Sequence, residues 1–141
     1  MRKCLLFCLF AILAIGVSIS FADSGIPNLV GTWTVKAEGG VVLRGAEQGP
    51  NTHHKGEFSL LDAEVIITKQ QGRVVHGEFK SAKAAEKFVA VIGHDNETFY
   101  YADQDGFLEG EIEDNDTIRV IYRHVGPNDV VAAVGVWTKK K

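Results

Sequence analysis

Nearly the same short strand stands near both ends of the chain. Leu29-Val30-Gly31-Thr32-Trp33-Thr34-Val35 opens a run of strand-like segments, and Val134-Gly135-Val136-Trp137-Thr138 closes it. In the first, Leu29, Gly31, Trp33 and Val35 fall on one face and Thr32, Thr34 and Lys36 on the other, the period-two pattern of a half-buried strand. Matching first and last strands suggest neighbours. In an up-and-down sheet they become neighbours only when the sheet closes on itself. This is the strongest constraint the sequence offers on the fold.

The segments between them fit that constraint. Strands are expected at about 29–37, 57–71, 73–80, 87–93, 98–102, 107–113, 117–125 and 130–138. Turn signals separate most of them, among them Gln71-Gly72, the Asp105-Gly106 hairpin pair, Asp114-Asn115-Asp116 and Gly126-Pro127-Asn128-Asp129. No stretch has convincing helical period. The expected fold is all-β, an eight-stranded antiparallel up-and-down barrel. A β-sandwich is the alternative. Glycines within strands, at Gly31, Gly77, Gly110 and Gly135, favour the barrel, because they let a strand bend around a narrow cylinder.

Ahead of the first strand, Met1-Arg2-Lys3, an apolar run from Cys4 to about Val17 and the small residues of Ser20-Phe21-Ala22 have the three-part design of a secretory signal peptide. Residues 1–22 are therefore expected to be a leader and 23–141 a single domain. The expected location is exported, in a bacterial periplasm or outside the cell. Both cysteines, Cys4 and Cys8, lie in the leader, so the domain must rely on its core rather than on disulfides. The chain holds 18 acidic and 15 basic residues, and two of the basic ones, Arg2 and Lys3, belong to the leader. An acidic domain speaks against nucleic acid and against anionic membrane as partners.

The segment Asn28-Leu29-Val30-Gly31-Thr32-Trp33, followed by a long first loop and eight antiparallel strands, resembles the calycin superfamily, that is, the lipocalins and the avidin-like barrels. The resemblance implies a carrier of small molecules. It also implies that Trp33 closes one end of the barrel against a basic side chain from a late strand, for which Arg119 and Arg123 are the candidates. The disulfide usual in secreted lipocalins is missing, as are the polar residues by which avidin-like proteins grip biotin.

Hairpin connections alternate between the two ends of such a barrel. One end collects the connections 38–56, 81–86, 103–106 and 126–129, and the other collects the tight turns. The long first connection, with Val41-Val42-Leu43 as a short extra strand or as part of a loop, and with the pair His53-His54, belongs to the first end. Barrel mouths favour ligand sites. An apolar or aromatic small molecule is the expected partner, bound by Trp33, Phe79, Tyr101, Leu108 and Tyr122 from the interior and by His53 and His54 at the mouth. Tyr101 or Tyr122 supplies a polar handle. The same side chains also fit a plain, filled core.

Other chemistry is weaker. His124 falls at the same end as His53 and His54, near Asp103, Asp105 and Asp129, but the spacing matches no metal motif. Asp103-x-Asp105-Gly106 lacks the further ligands of a calcium loop and reads as a hairpin turn. The domain has no cysteine nucleophile, no Gly-x-Ser-x-Gly elbow and no phosphate-cradling glycine loop. No catalytic residue, metal or cofactor is assigned. Two readings remain beside the carrier. One is a protein-interaction or inhibitor module using the outer surface, with Val130, Val131, Val134 and Val136 as candidates. The other is a small barrel enzyme with a titratable group facing a cavity.

Overall fold

The computed structural model describes residues 25–44, 53 and 56–141; the expected leader, residues 1–22, and His54 lie outside the described residues. Eight strands follow one another as β1 (Gly31–Leu43), β2 (Ser59–Gln71), β3 (Val74–Ser81), β4 (Ala85–Ile92), β5 (Thr98–Ala102), β6 (Gly106–Asp114), β7 (Thr117–Val125) and β8 (Asp129–Lys139). Each pairs antiparallel with the next, and β8 returns to β1, closing the barrel. The two Gly-x-Trp-Thr strands are direct neighbours, with Val35 opposite Trp137 and Thr34 opposite Thr138. The barrel, not the sandwich, is the fold.

Alternation places the core. In β6, Gly106, Leu108, Gly110 and Ile112 are buried while Phe107, Glu109 and Glu111 face out. In β8, apolar residues occupy both faces, so hydropathy alone does not set its parity. Pairing with β1 and β7 does: Val131, Ala133 and Trp137 are buried, whereas Val134 and Val136 are exposed. Val131 therefore leaves the set of candidates for an outer patch.

One boundary departs from expectation. β1 does not stop near Ala37 but runs on to Leu43, so Val41-Val42-Leu43 extends β1 rather than forming a separate strand. The reason lies in Gly39 and Gly40. A Cβ on Gly39 would sit 2.5 Å from the Cβ of Ala133, and one on Gly40 would sit 2.3 Å from the carbonyl oxygen of Glu57. These glycines are needed for close approach within the sheet, not for a turn.

The end of the barrel that carries the tight turns is sealed. Leu29 and Trp33 are fully buried there. Trp33 Nε1–H donates to the carbonyl oxygen of Leu29 at 3.0 Å. Gln70 ties the incoming segment down, accepting from Leu29 N and donating to the Pro27 carbonyl oxygen, both at 2.8 Å. The basic side chain over Trp33 is Lys139, with Nζ 5.3 Å from the ring centroid and donating to the Asn28 carbonyl oxygen at 3.0 Å. Neither Arg119 nor Arg123 fills that role. Both face outward, pairing with Glu113 and Glu109. Gly31 explains the motif: its φ is +142°, and a Cβ there would lie 2.9 Å from Lys139 Cε. Only glycine lets the lysine stem cross β1 to reach the indole.

Candidate functional site at the open end of the barrel

The opposite end is built differently. On β1 and β8 the interior residues are small, Ala37, Ala133 and Gly135; Tyr122 stands beside Ala133 on β7, and Phe79, Tyr101 and Leu108 line the same space from β3, β5 and β6. A void of ≈ 40 Å³ remains between these walls, with Trp137, Val35 and Val120 also lining it. That is room for about one or two waters. Trp137 packs against Phe88, Phe99 and Tyr101, with ring centroids 6.3, 5.7 and 6.2 Å away.

His53 covers the mouth. Its Nδ1 lies 2.6 Å from Ser81 Oγ, its Nε2 lies 3.1 Å from Glu86 Oε2, and its ring sits 4.9 Å from Phe79. A neutral imidazole with its proton on Nε2 satisfies the whole set. Nε2–H donates to the Glu86 carboxylate, Ser81 O–H donates to Nδ1, and Ser81 Oγ accepts from the backbone N–H of Lys83 at 3.1 Å. The imidazole thus fills the position next to Phe79 that a ligand ring would need.

The two interior tyrosines differ in how their hydroxyls are used. Tyr101 O–H donates to Asp103 Oδ2 at 2.7 Å, and Asp103 Oδ1 accepts the backbone N–H groups of Asp105 and Gly106. Tyr122 has only a distant partner, His124 Nδ1 at 3.4 Å. Gly106 makes room for it, since a Cβ there would lie 2.4 Å from the Tyr122 hydroxyl. Burial pushes both phenols well above their ordinary range, and the nearby carboxylate of Asp103 adds to the effect. Asp105, Glu86 and Asp129 act in the same direction on Tyr122. The rim therefore holds a negative field.

Behind Tyr122, His124 and Asp129 form a buried pair, 3.0 Å from Nε2 to Oδ1, with side chains 3% and 1% exposed. The two side chains touch there without hydrogen-bond alignment. Gly126 lies over it: a Cβ there would stand 2.6 Å from His124 Nε2. This pair pins the β7–β8 connection to the rim. No cluster of three or more metal-ligating side chains forms among the described residues.

Of the residues read from the sequence as ligand-binding, the fold brings His53, Phe79, Tyr101, Leu108 and Tyr122 around one void. Trp33 lies apart, in the sealed end, and His54 is outside the described residues. Trp137 was not among them. Its place in the second Gly-x-Trp-Thr strand was the available signal, hidden because β8 is apolar on both faces.

A closed barrel of eight antiparallel strands, with a basic side chain over the first-strand tryptophan, fits a calycin-like architecture. No family model matches the chain, and no curated protein matches it. Among solved structures, the S-type phycobiliprotein lyase CPES from Guillardia theta aligns over 79% of this chain and 88% of its own, with 11% identity and a TM-score of 0.33. A likeness at that level carries no statement about ligand or activity.

Proposed function

We propose that this protein is an exported binding protein that carries a small, largely apolar or aromatic molecule in the open half of its barrel. The leader-like residues 1–22 support export. The observation that carries the binding reading is the contrast within the interior. One half is filled, with its tryptophan N–H hydrogen-bonded, while the other pairs small residues with aromatic ones around a void and offers tyrosine hydroxyls as polar handles. A benzene-sized guest needs a cavity of about 150 Å³, so a ligand ring enters by displacing the His53 imidazole.

Removing that imidazole tests the reading. Entry of a ring costs the His53 hydrogen bonds to Ser81 and Glu86, each worth about 1 kcal/mol. His53→Ala should therefore bind an aromatic probe about 30-fold more tightly than the wild type, as read by titration calorimetry. Native mass spectrometry of the protein taken from its own host should show a bound small molecule. An empty barrel that also ignores aromatic probes in both forms overturns the carrier reading.

One observation favours a second reading, contact with another exported protein through the barrel wall. Ile121 and Val134 are cross-strand partners, and with Val136 they leave 51%, 48% and 40% of their surface exposed on the outer face of β7 and β8. In that case native mass spectrometry returns a complex with another chain and no small molecule.

A further inference from the structure

Trp137, one of the residues lining the void, carries a donor with nothing to donate to. Trp137 is fully buried and lines the void, and its Nε1–H has no hydrogen-bond partner among the described residues. Phe99 and Tyr101 meet the indole edge-to-face at 70° and 82°. Such contacts are weak substitutes for an acceptor. Leaving a buried donor unpaired is costly, so native sites that keep one tend to do so for a reason. The second underused donor on the same void is Tyr122 O–H, whose only partner stands 3.4 Å away. The Asp103 oxygens on the void already accept from Tyr101 and from two backbone N–H groups, and the unpartnered oxygen at this end, Asp129 Oδ2, lies behind Tyr122 among the described residues.

The rim limits what kind of acceptor can enter. Asp103, Glu86 and Asp105 stand around the mouth and Asp129 lies behind it, so an anionic acceptor such as a carboxylate meets a repulsive field. We propose that the ligand is a neutral molecule bearing a carbonyl-type acceptor, which takes the Trp137 indole N–H while its apolar body lies against Val35, Leu108 and Val120. This rests on the carrier reading and adds the chemical class of the cargo.

Four probes of one shape separate the possibilities: acetophenone, ethylbenzene, benzoate and 1-phenylethylamine. Each is titrated into the wild-type protein while the two indole N–H cross-peaks are followed by NMR. Acetophenone should bind at least about 10-fold more tightly than ethylbenzene, because ethylbenzene leaves the donor unpaired. Benzoate should bind more weakly than acetophenone. Acetophenone should also move the Trp137 indole resonance in a way ethylbenzene does not, while the Trp33 resonance stays in place. Trp137→Phe keeps a ring and loses the donor, so it should bring acetophenone and ethylbenzene to equal affinity. Equal binding of these two in the wild type, with the same indole shift, overturns the acceptor assignment and leaves the carrier reading standing. So does tightest binding of 1-phenylethylamine or benzoate. If none of the four perturbs any interior resonance, the carrier reading falls and the cargo class with it.

Discussion

The two tryptophans of the repeated Gly-x-Trp-Thr strand are both fully buried, yet they sit in opposite environments. Trp33 has its indole N–H bonded to Leu29, its face covered by Lys139 and its neighbours fixed by Gln70. Trp137 has aromatic contacts on its edges, an unpartnered N–H and a void beside it. The difference teaches that a strand motif specifies a place in the barrel wall, while the surrounding strands decide whether that place becomes a plug or a pocket. At the sealed end the tryptophan donor is bonded to the backbone. At the open end the tryptophan donor has no partner, while His124 and Asp129 lie buried against each other behind it.

The largest effect should come from breaking that pair. His124→Leu leaves Asp129 buried and uncompensated, and should cost about 3–5 kcal/mol in chemical denaturation. A cost below about 1 kcal/mol would mean that the open end does not depend on the pair, and the two ends would then differ less than the geometry implies. A smaller effect separates the tryptophans themselves. Trp33→Phe and Trp137→Phe remove the same atoms, but only the first breaks a hydrogen bond. Trp33→Phe should be the more destabilising by about 1 kcal/mol. Equal costs would indicate that the Trp137 N–H has a partner after all. The smallest effect is at the lysine cap. Lys139→Met keeps most of the stem over Trp33 and removes the charge, and should lower stability by about 0.5–1 kcal/mol, with no change in probe affinity at the other end.

Much of this was legible in the chain because strands advertise their inner face with period two. Trp33, Tyr101 and Leu108 read as interior and are buried. Phe79 and Tyr122, read the same way, are partly buried and pack against that core. Where alternation failed, the reading failed with it. Val131 looked like Val134 because both stand in a run apolar on both faces, and only pairing with β1 and β7 sets them on opposite sides. Gly39-Gly40 looked like a break in β1, since the same residue serves turns and close approaches. Lys139 stood in a basic tail with no periodic signal, and only the fold shows its stem crossing β1 at Gly31.

The sequence by itself indicated the number of strands and the end at which the longer connections collect, and favoured a barrel over a sandwich; the β1–β8 pairing decided the closure. The first two follow from local rules: period-two burial, turn residues and the parity of hairpins. Only the tertiary structure decided that the interior is asymmetric. The void depends on small Ala37, Ala133 and Gly135 sharing the interior with Phe79, Tyr101 and Tyr122 from other strands, and on His53 from the β1–β2 connection covering them. Residues far apart in the chain create that space jointly, so no single segment carries its signature.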